Sequence, residues 1–339
     1  MVWLVRSYTH RHLAPALGLF FLAPLVAEFL LGNLPITWLW LLPVLALLYG
    51  GGALLIREVA RRLRLGWAGL VVFGLAFGVI EEAFVTQSLF NPDYLGLRLL
   101  DFGYLPALGI GAWWTVFVLG LHTVWSTAVP IALVEALTPG ARRTPWLGPF
   151  GLGLNATLFA VGCLVVARAQ PAAATHASAT QLVSSAAVIV VLLLAGFVLG
   201  RRQPASPNAI ATSGRSTPSP LVVGTTAFAC GSAFMAIAAI VHAALPAAAS
   251  VTAMLAALAA LAAATARWSH RLGWSERHRL AVAGGLLLTY AWYGFVQKPS
   301  VGHVSPQVDL LGNAALTAAA LGLLVSAISR VAREPSEPA

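Results

Sequence analysis

The sequence predicts an all-α, polytopic integral membrane protein, a bundle of about ten transmembrane helices with both termini cytoplasmic. Three observations lead there. Apolar residues make up 59% of the 339-residue chain and charged residues only 9%, with a mean hydropathy of +0.84. That is more apolar sequence than a soluble core of this size buries. Runs nearly free of charge recur along the chain, each close to the ~20 residues that cross a hydrocarbon core of about 30 Å. The basic residues fall in alternate connections, as orientation in a bilayer requires.

In chain order, the first span covers residues 13–31 and contains Pro24. It is too long for a signal peptide and lacks a small-residue cleavage site, so it is expected to stay as an anchor. The second, 36–56, carries Trp38 and Trp40 at its outer edge and Pro43 within it. A cytoplasmic loop with Arg57, Arg61, Arg62 and Arg64 leads into the third, 68–90, which contains GLAFGVIEEAFVTQSLF. The outer connection that follows mixes leucines, aromatics and glycines with Asp93, Arg98 and Asp101. It is expected to lie in the interface or to dip inward as a lid. The fourth span, 112–137, starts at Trp113 and Trp114 and contains Pro130; the fifth and sixth are 149–167 and 181–200. Residues 201–220, rich in Pro, Ser and Ala, form a flexible cytoplasmic linker. It separates a six-helix unit, 1–200, from an alanine-rich four-helix unit, 221–339, with spans 221–243, 247–266, 280–297 and 309–329. Small residues there let helices approach closely.

This assignment puts seventeen of the twenty basic residues on the cytoplasmic side and leaves only Arg98, Arg168 and Lys298 outside. A miscounted span would break the alternation. The net charge of +9 is thus explained by orientation signals that meet anionic lipid heads, and no nucleic-acid partner is needed. Cys163 and Cys230 lie within spans and read as packing residues. The expected location is the plasma membrane, with lipids as partners and a membrane-embedded or lipophilic substrate.

Ionisable groups inside spans are expensive and mark function by default. The first six spans hold Glu28, Glu81, Glu82, His122 and Glu135. Glu28 and Glu135 lie near span ends and are expected to reach the interface. Glu81 and His122 lie deep, about 14 and 15 Å below the outer ends of two antiparallel spans at ~1.5 Å per residue. They share a level, and Gly74 and Gly78 form a small-residue stripe that would bring those spans together. Ser126 lies one turn after His122, and Gln87 and Asn91 would line the inner side of a lid. A glutamate activating water, with histidine moving a proton, is the chemistry this constellation allows. With no HxxxH, HExxH or CxxC spacing in the chain, no metal or other cofactor is expected.

Adjacent glutamates in one span, followed in the next by Phe117 and His122 in FVLGLHTVWS, resemble the CAAX-protease and bacteriocin-processing family of intramembrane proteases. The resemblance implies a glutamate-activated water at Glu81 and Glu82, assisted by His122. It departs from that family at Thr86, where an arginine is expected, at Ser126, where asparagine is expected, and in the absence of a second histidine at this depth. A membrane-embedded hydrolase is therefore one expectation. A proton-coupled transporter and a non-catalytic membrane scaffold are the others.

Overall fold

The computed structural model describes residues 2–170, 177–202, 213–241 and 244–334. They form ten long helical units: α1 His12–Leu30, α2 Ile36–Arg62, α3 Trp67–Val85, α4 Ala112–Leu137, α5 Pro149–Ala169, α6 Ala179–Arg202, α7 Pro220–Ala239, α8 Ala247–Ser269, α9 Glu276–Tyr293 and α10 Pro306–Ala332. Among the described residues, nine of these are long and apolar enough to cross a membrane. The remaining one, α9, opens on the charged run Glu276–Arg279, is capped by Ser275 and His278, and buries most of its length. The protein is an all-α polytopic membrane bundle. Half of the expected linker, 203–212, lies outside the described residues; Ser213–Ser216, which follows, pairs with Arg271–Leu272.

Two apolar clusters share α1 and α4. One gathers Leu19, Leu48, Phe73, Phe77 and Ile131 from α1 to α4. The other gathers Trp125 of α4 with Phe234 of α7 and Tyr290 of α9. Trp125 joins the two halves of the chain: its ring stacks on Tyr290 at 4.6 Å, and its Nε1 donates to the carbonyl of Leu286 at 2.7 Å. Glycine permits the closest crossings. A Cβ on Gly162 of α5 would lie 2.6 Å from the backbone nitrogen of Leu48. The outer helices turn apolar residues such as Leu164, Leu194 and Leu311 outward, as lipid-facing surfaces do.

The stripe on α3 does what the sequence suggests. A Cβ on Gly78 would meet that of His122 at 3.1 Å, and one on Gly74 would meet Thr127. The connection after α3 exposes Leu95, Leu97, Tyr104, Leu105 and Leu108 while burying Leu100. It includes the short hairpin of Tyr104–Leu105 with Ile110–Gly111. Its apolar residues turn outward, as those of an interfacial connector do, while Tyr94 lies near enough to Glu82, Glu28 and Glu81 to feel their charge.

Candidate functional site

Glu81 and Glu82 on α3 and His122 on α4 come together, each 5% exposed or less. His122 Nε2 lies 2.8 Å from Glu82 Oε1. Its Nδ1 lies 3.2 Å from Ser126 Oγ and 3.2 Å from Glu81 Oε2. The imidazole is walled by Tyr49, stacked at 5.9 Å, and by the edge of Phe77. Three of the sequence-derived candidates thus form one centre, with Ser126 in contact.

Glu82 is held firmly. Its Oε2 accepts from Thr86 Oγ1 at 3.0 Å and from the Ser88 hydroxyl, which in turn accepts from Trp114 Nε1 at 2.9 Å. The residue standing in place of the expected arginine is therefore a neutral donor to the second glutamate. Glu81 differs. Its Oε2 is near Nδ1 but outside hydrogen-bonding geometry, leaving a buried carboxylate oxygen without a hydrogen-bond partner among the described residues. Such an oxygen is satisfied by a proton, a water or a cation.

The local backbone explains how these groups meet. Glu81–Val85 and His122–Ala128 are π-helical turns, and so are Leu25–Leu30, which carries Glu28, and Ala46–Gly50, which carries Tyr49. In α3 the widened turn is closed by the Thr86 amide bonding to the carbonyl of Glu81 at 2.9 Å. π-turns interrupt α-helices mostly where function demands an unusual side-chain direction. Here four of them converge on one level.

Glu28, expected at the interface, belongs to the centre instead. It accepts from Asn33 Nδ2 at 2.6 Å and from the Tyr49 hydroxyl, and Tyr49 also neighbours Glu81. The tight turn after α1, in which the amides of Asn33 and Leu34 both bond to the carbonyl of Glu28, folds the chain over that carboxylate and closes it off. A continuous polar chain results: Asn33, Glu28, Tyr49, Glu81, His122, Glu82 and Ser88. Sequence reasoning singled out Glu28 but assigned it to the interface, and missed Tyr49 and Ser88. The presence of a third glutamate within the outer half of a neighbouring span was the available signal.

Gln87 and Asn91 do not line this centre. Gln87, in a left-handed conformation with φ of 54°, accepts from the Ala177 amide at 2.8 Å, and Asn91 caps the Asp93 amide at 3.1 Å. Both fix the outer connection. Phe117 stacks on Trp113 at 5.4 Å, away from the imidazole, and Asn155 donates to the carbonyl of Gly51.

Glu135 is likewise buried rather than solvated. It accepts from Arg57 Nε at 3.1 Å and from both Nε and Nη2 of Arg61 at 2.7 and 2.6 Å. Arg57, expected as a loop charge, is fully buried. It donates to Glu58 at 2.7 Å and to the carbonyls of Ala141 and Arg142, with Trp146 stacked 3.4 Å from its guanidinium. α2 runs on to Arg62, so the arginines that orient the chain also bolt the inner end of the bundle.

One ligand atom from each of Glu81, Glu82 and His122 can be chosen so that all lie within 4.8 Å of one another. The buried cluster is therefore able to coordinate a metal ion or a water, which is the general requirement of a catalytic Glu/His site.

Residues 17–334 match a family described as an uncharacterized membrane protein family. A stretch of 116 residues is 30% identical to the vitamin B12 import system permease protein BtuC of Vibrio cholerae serotype O1, covering 34% of this chain and 32% of that protein. The chain thus matches about a third of the length of this curated relative. No solved structure matches the chain.

Proposed function

We propose that this chain, which belongs to the uncharacterized membrane protein family matched over residues 17–334, is a proton-coupled membrane carrier. Glu28, Glu81, Glu82 and His122 are its proton-binding centre. The charge balance of the buried polar chain carries this reading. Three carboxylates share one imidazole: among the described residues Glu81 and Glu82 pair with His122 alone, and Glu28 is bonded only to the neutral Asn33 and Tyr49. Even with His122 charged, full ionisation would leave negative charge uncompensated in hydrocarbon, at a cost of several kcal/mol per ion. The centre therefore binds protons and does so in exchangeable positions. A proton on Nε2 is shared with Glu82, one on Nδ1 faces Ser126, and the unbonded Oε2 of Glu81 is the acceptor beside it. Tyr49 extends the path to Glu28. Loading and unloading these sites changes the charge that four helices must bury, which is how protonation biases a helix arrangement. The partial likeness to an import permease supports the carrier class and does not extend to its vitamin.

A second reading, a membrane-embedded hydrolase akin to the CAAX-protease and bacteriocin-processing family, is favoured by the same Glu81 oxygen. A water bonded there would have Glu81 as its base and His122 at hand to pass a proton. The two readings part in reconstituted protein. Solid-supported membrane recordings with inward pH steps and a panel of solutes, vitamin B12 included, should give solute-dependent charge movement that Glu81→Gln abolishes. No such current with any solute, together with Glu81-dependent cleavage of membrane-anchored peptides, would replace the carrier by the hydrolase.

A further inference from the structure

A cavity of about 1020 Å³ lies between α3, α4, α8 and α9. None of Glu28, Tyr49, Glu81, Glu82 or His122 lines it. Its volume is near the upper end of the roughly 300–1,000 Å³ of small-molecule sites. Its length is more telling. The α4 residues lining it run from Thr115 to Glu135, about 30 Å of helix at ~1.5 Å per residue. Over that length the wall is almost wholly apolar, with Val72 and Leu75 facing Leu258 and Leu261 in the lining.

The inner end is different. Arg61, Arg64, Arg142, Arg143 and Arg279 line it, with only Glu135 and Glu276 as lining acids. Those two carboxylates are already engaged: Glu135 by Arg57 and Arg61, and Glu276 by Arg279 at 2.5 Å and Arg142 at 3.4 Å, while Arg142 is further paired with Glu334 outside the lining. Arg143 reaches Glu276 only at 3.8 Å with a half-exposed side chain. Arg64 has no ion pair among the described residues and sits on the left-handed turn, φ 55°, between α2 and α3. Positive charge is thus in excess at the mouth of an apolar channel. Val71 and Leu255 line the cavity and remain 40% and 49% exposed, so it opens sideways to hydrocarbon as well as inward.

We propose that this cavity is a binding site for an anionic phospholipid. Its phosphate sits against Arg64 and Arg143 at the level of Trp67 and Trp274, and an acyl chain lies along the groove between α3, α4 and α8. Charge complementarity fixes the head, and the apolar wall fixes the tail; basic recesses between transmembrane helices on the inner side hold anionic heads in this way. A soluble phosphate would leave the apolar wall unfilled, and a zwitterionic lipid would leave the arginines unmatched. The site stands independently of the proton-binding centre.

Native mass spectrometry of the purified full chain tests it, with phosphatidylglycerol or phosphatidylcholine of identical chains added back after delipidation. One phosphatidylglycerol should be retained in preference to phosphatidylcholine by about tenfold or more. Arg64→Gln with Arg143→Gln should remove the preference, and Ala262→Trp, which fills the groove, should lower retention of the lipid whatever its head. Unchanged thermal unfolding of the arginine variant would show that it remains folded. Equal retention of both lipids by the wild type, or retention indifferent to both variants, would mean only annular lipid and overturn the proposal. Binding of glycerol phosphate as tightly as the whole lipid would also overturn it, by removing the tail from the groove.

Discussion

Replacing each of the paired glutamates by glutamine separates a held carboxylate from one kept for protons. Glu82 accepts from His122 at 2.8 Å, Thr86 at 3.0 Å and the Ser88 hydroxyl. Glutamine there has one oxygen instead of two. If its amide takes the Oε2 position, Ser88 loses the acceptor for its proton while still receiving Trp114 Nε1. If it takes the Oε1 position, His122 must turn acceptor at Nε2. Either way a bond to a charged group becomes a neutral one or is lost, for which about 1.5–3 kcal/mol is the expected cost. With a proton on Glu81, as the proposed centre requires, Glu81→Gln removes neither a charge facing His122 nor a hydrogen bond at Oε2, and should change stability by less than about 1 kcal/mol. Unfolding titrated with sodium dodecyl sulfate and followed by tryptophan fluorescence measures both. Infrared difference spectra on the same samples should lose a protonated carboxyl band in Glu81→Gln. Equal destabilisation of the two variants, with the band unchanged, would refute the assignment of Glu81 as the exchangeable site and of Glu82 as the anchored one.

Arg57→Leu should destabilise the protein by about 3–5 kcal/mol in the same titration, since it removes the buried cation between Glu58 and Glu135 and leaves Glu58 with the Trp146 and Leu147 amides and the longer Arg62 contact. Arg61→Leu, which leaves Glu135 bonded to Arg57, should cost visibly less. Gly162→Ala should cost about 1–3 kcal/mol by pressing a methyl into the backbone of α2, whereas Gly153→Ala, with nothing within 4 Å of its Cβ, should be neutral or slightly stabilising. On a background lacking Cys163 and Cys230, a cysteine at Ser178 should react with an impermeant thiol reagent in intact cells and one at Gly140 should not; the opposite pattern would reverse the orientation inferred from the arginines.

The helical bundle and the depth of its polar residues were legible in the sequence because hydrocarbon charges its cost residue by residue along each helix. Ten helical units, the arginine-rich connections and the common level of Glu81 and His122 all follow from counting along one dimension. So does the α3–α4 contact, because Gly74 and Gly78 leave room for only a close neighbour. Direction around the helix was not legible. A π-turn inserts one extra residue and swings the following face by about 100°, and nothing in the local composition marks where it occurs. Glu28 looked peripheral because it lies near the end of its span, and Tyr49 carried no signal at all; only the packed bundle brings Tyr49 against His122 and Glu28 against Tyr49. Ends of helices were hidden by a related cause. Arg57 reads as a loop charge until Glu58, Glu135, Trp146 and two carbonyls, contributed by three separate segments, surround it. Whether a charge is bare or paired depends on residues up to 85 positions away, and tertiary structure alone brings those together.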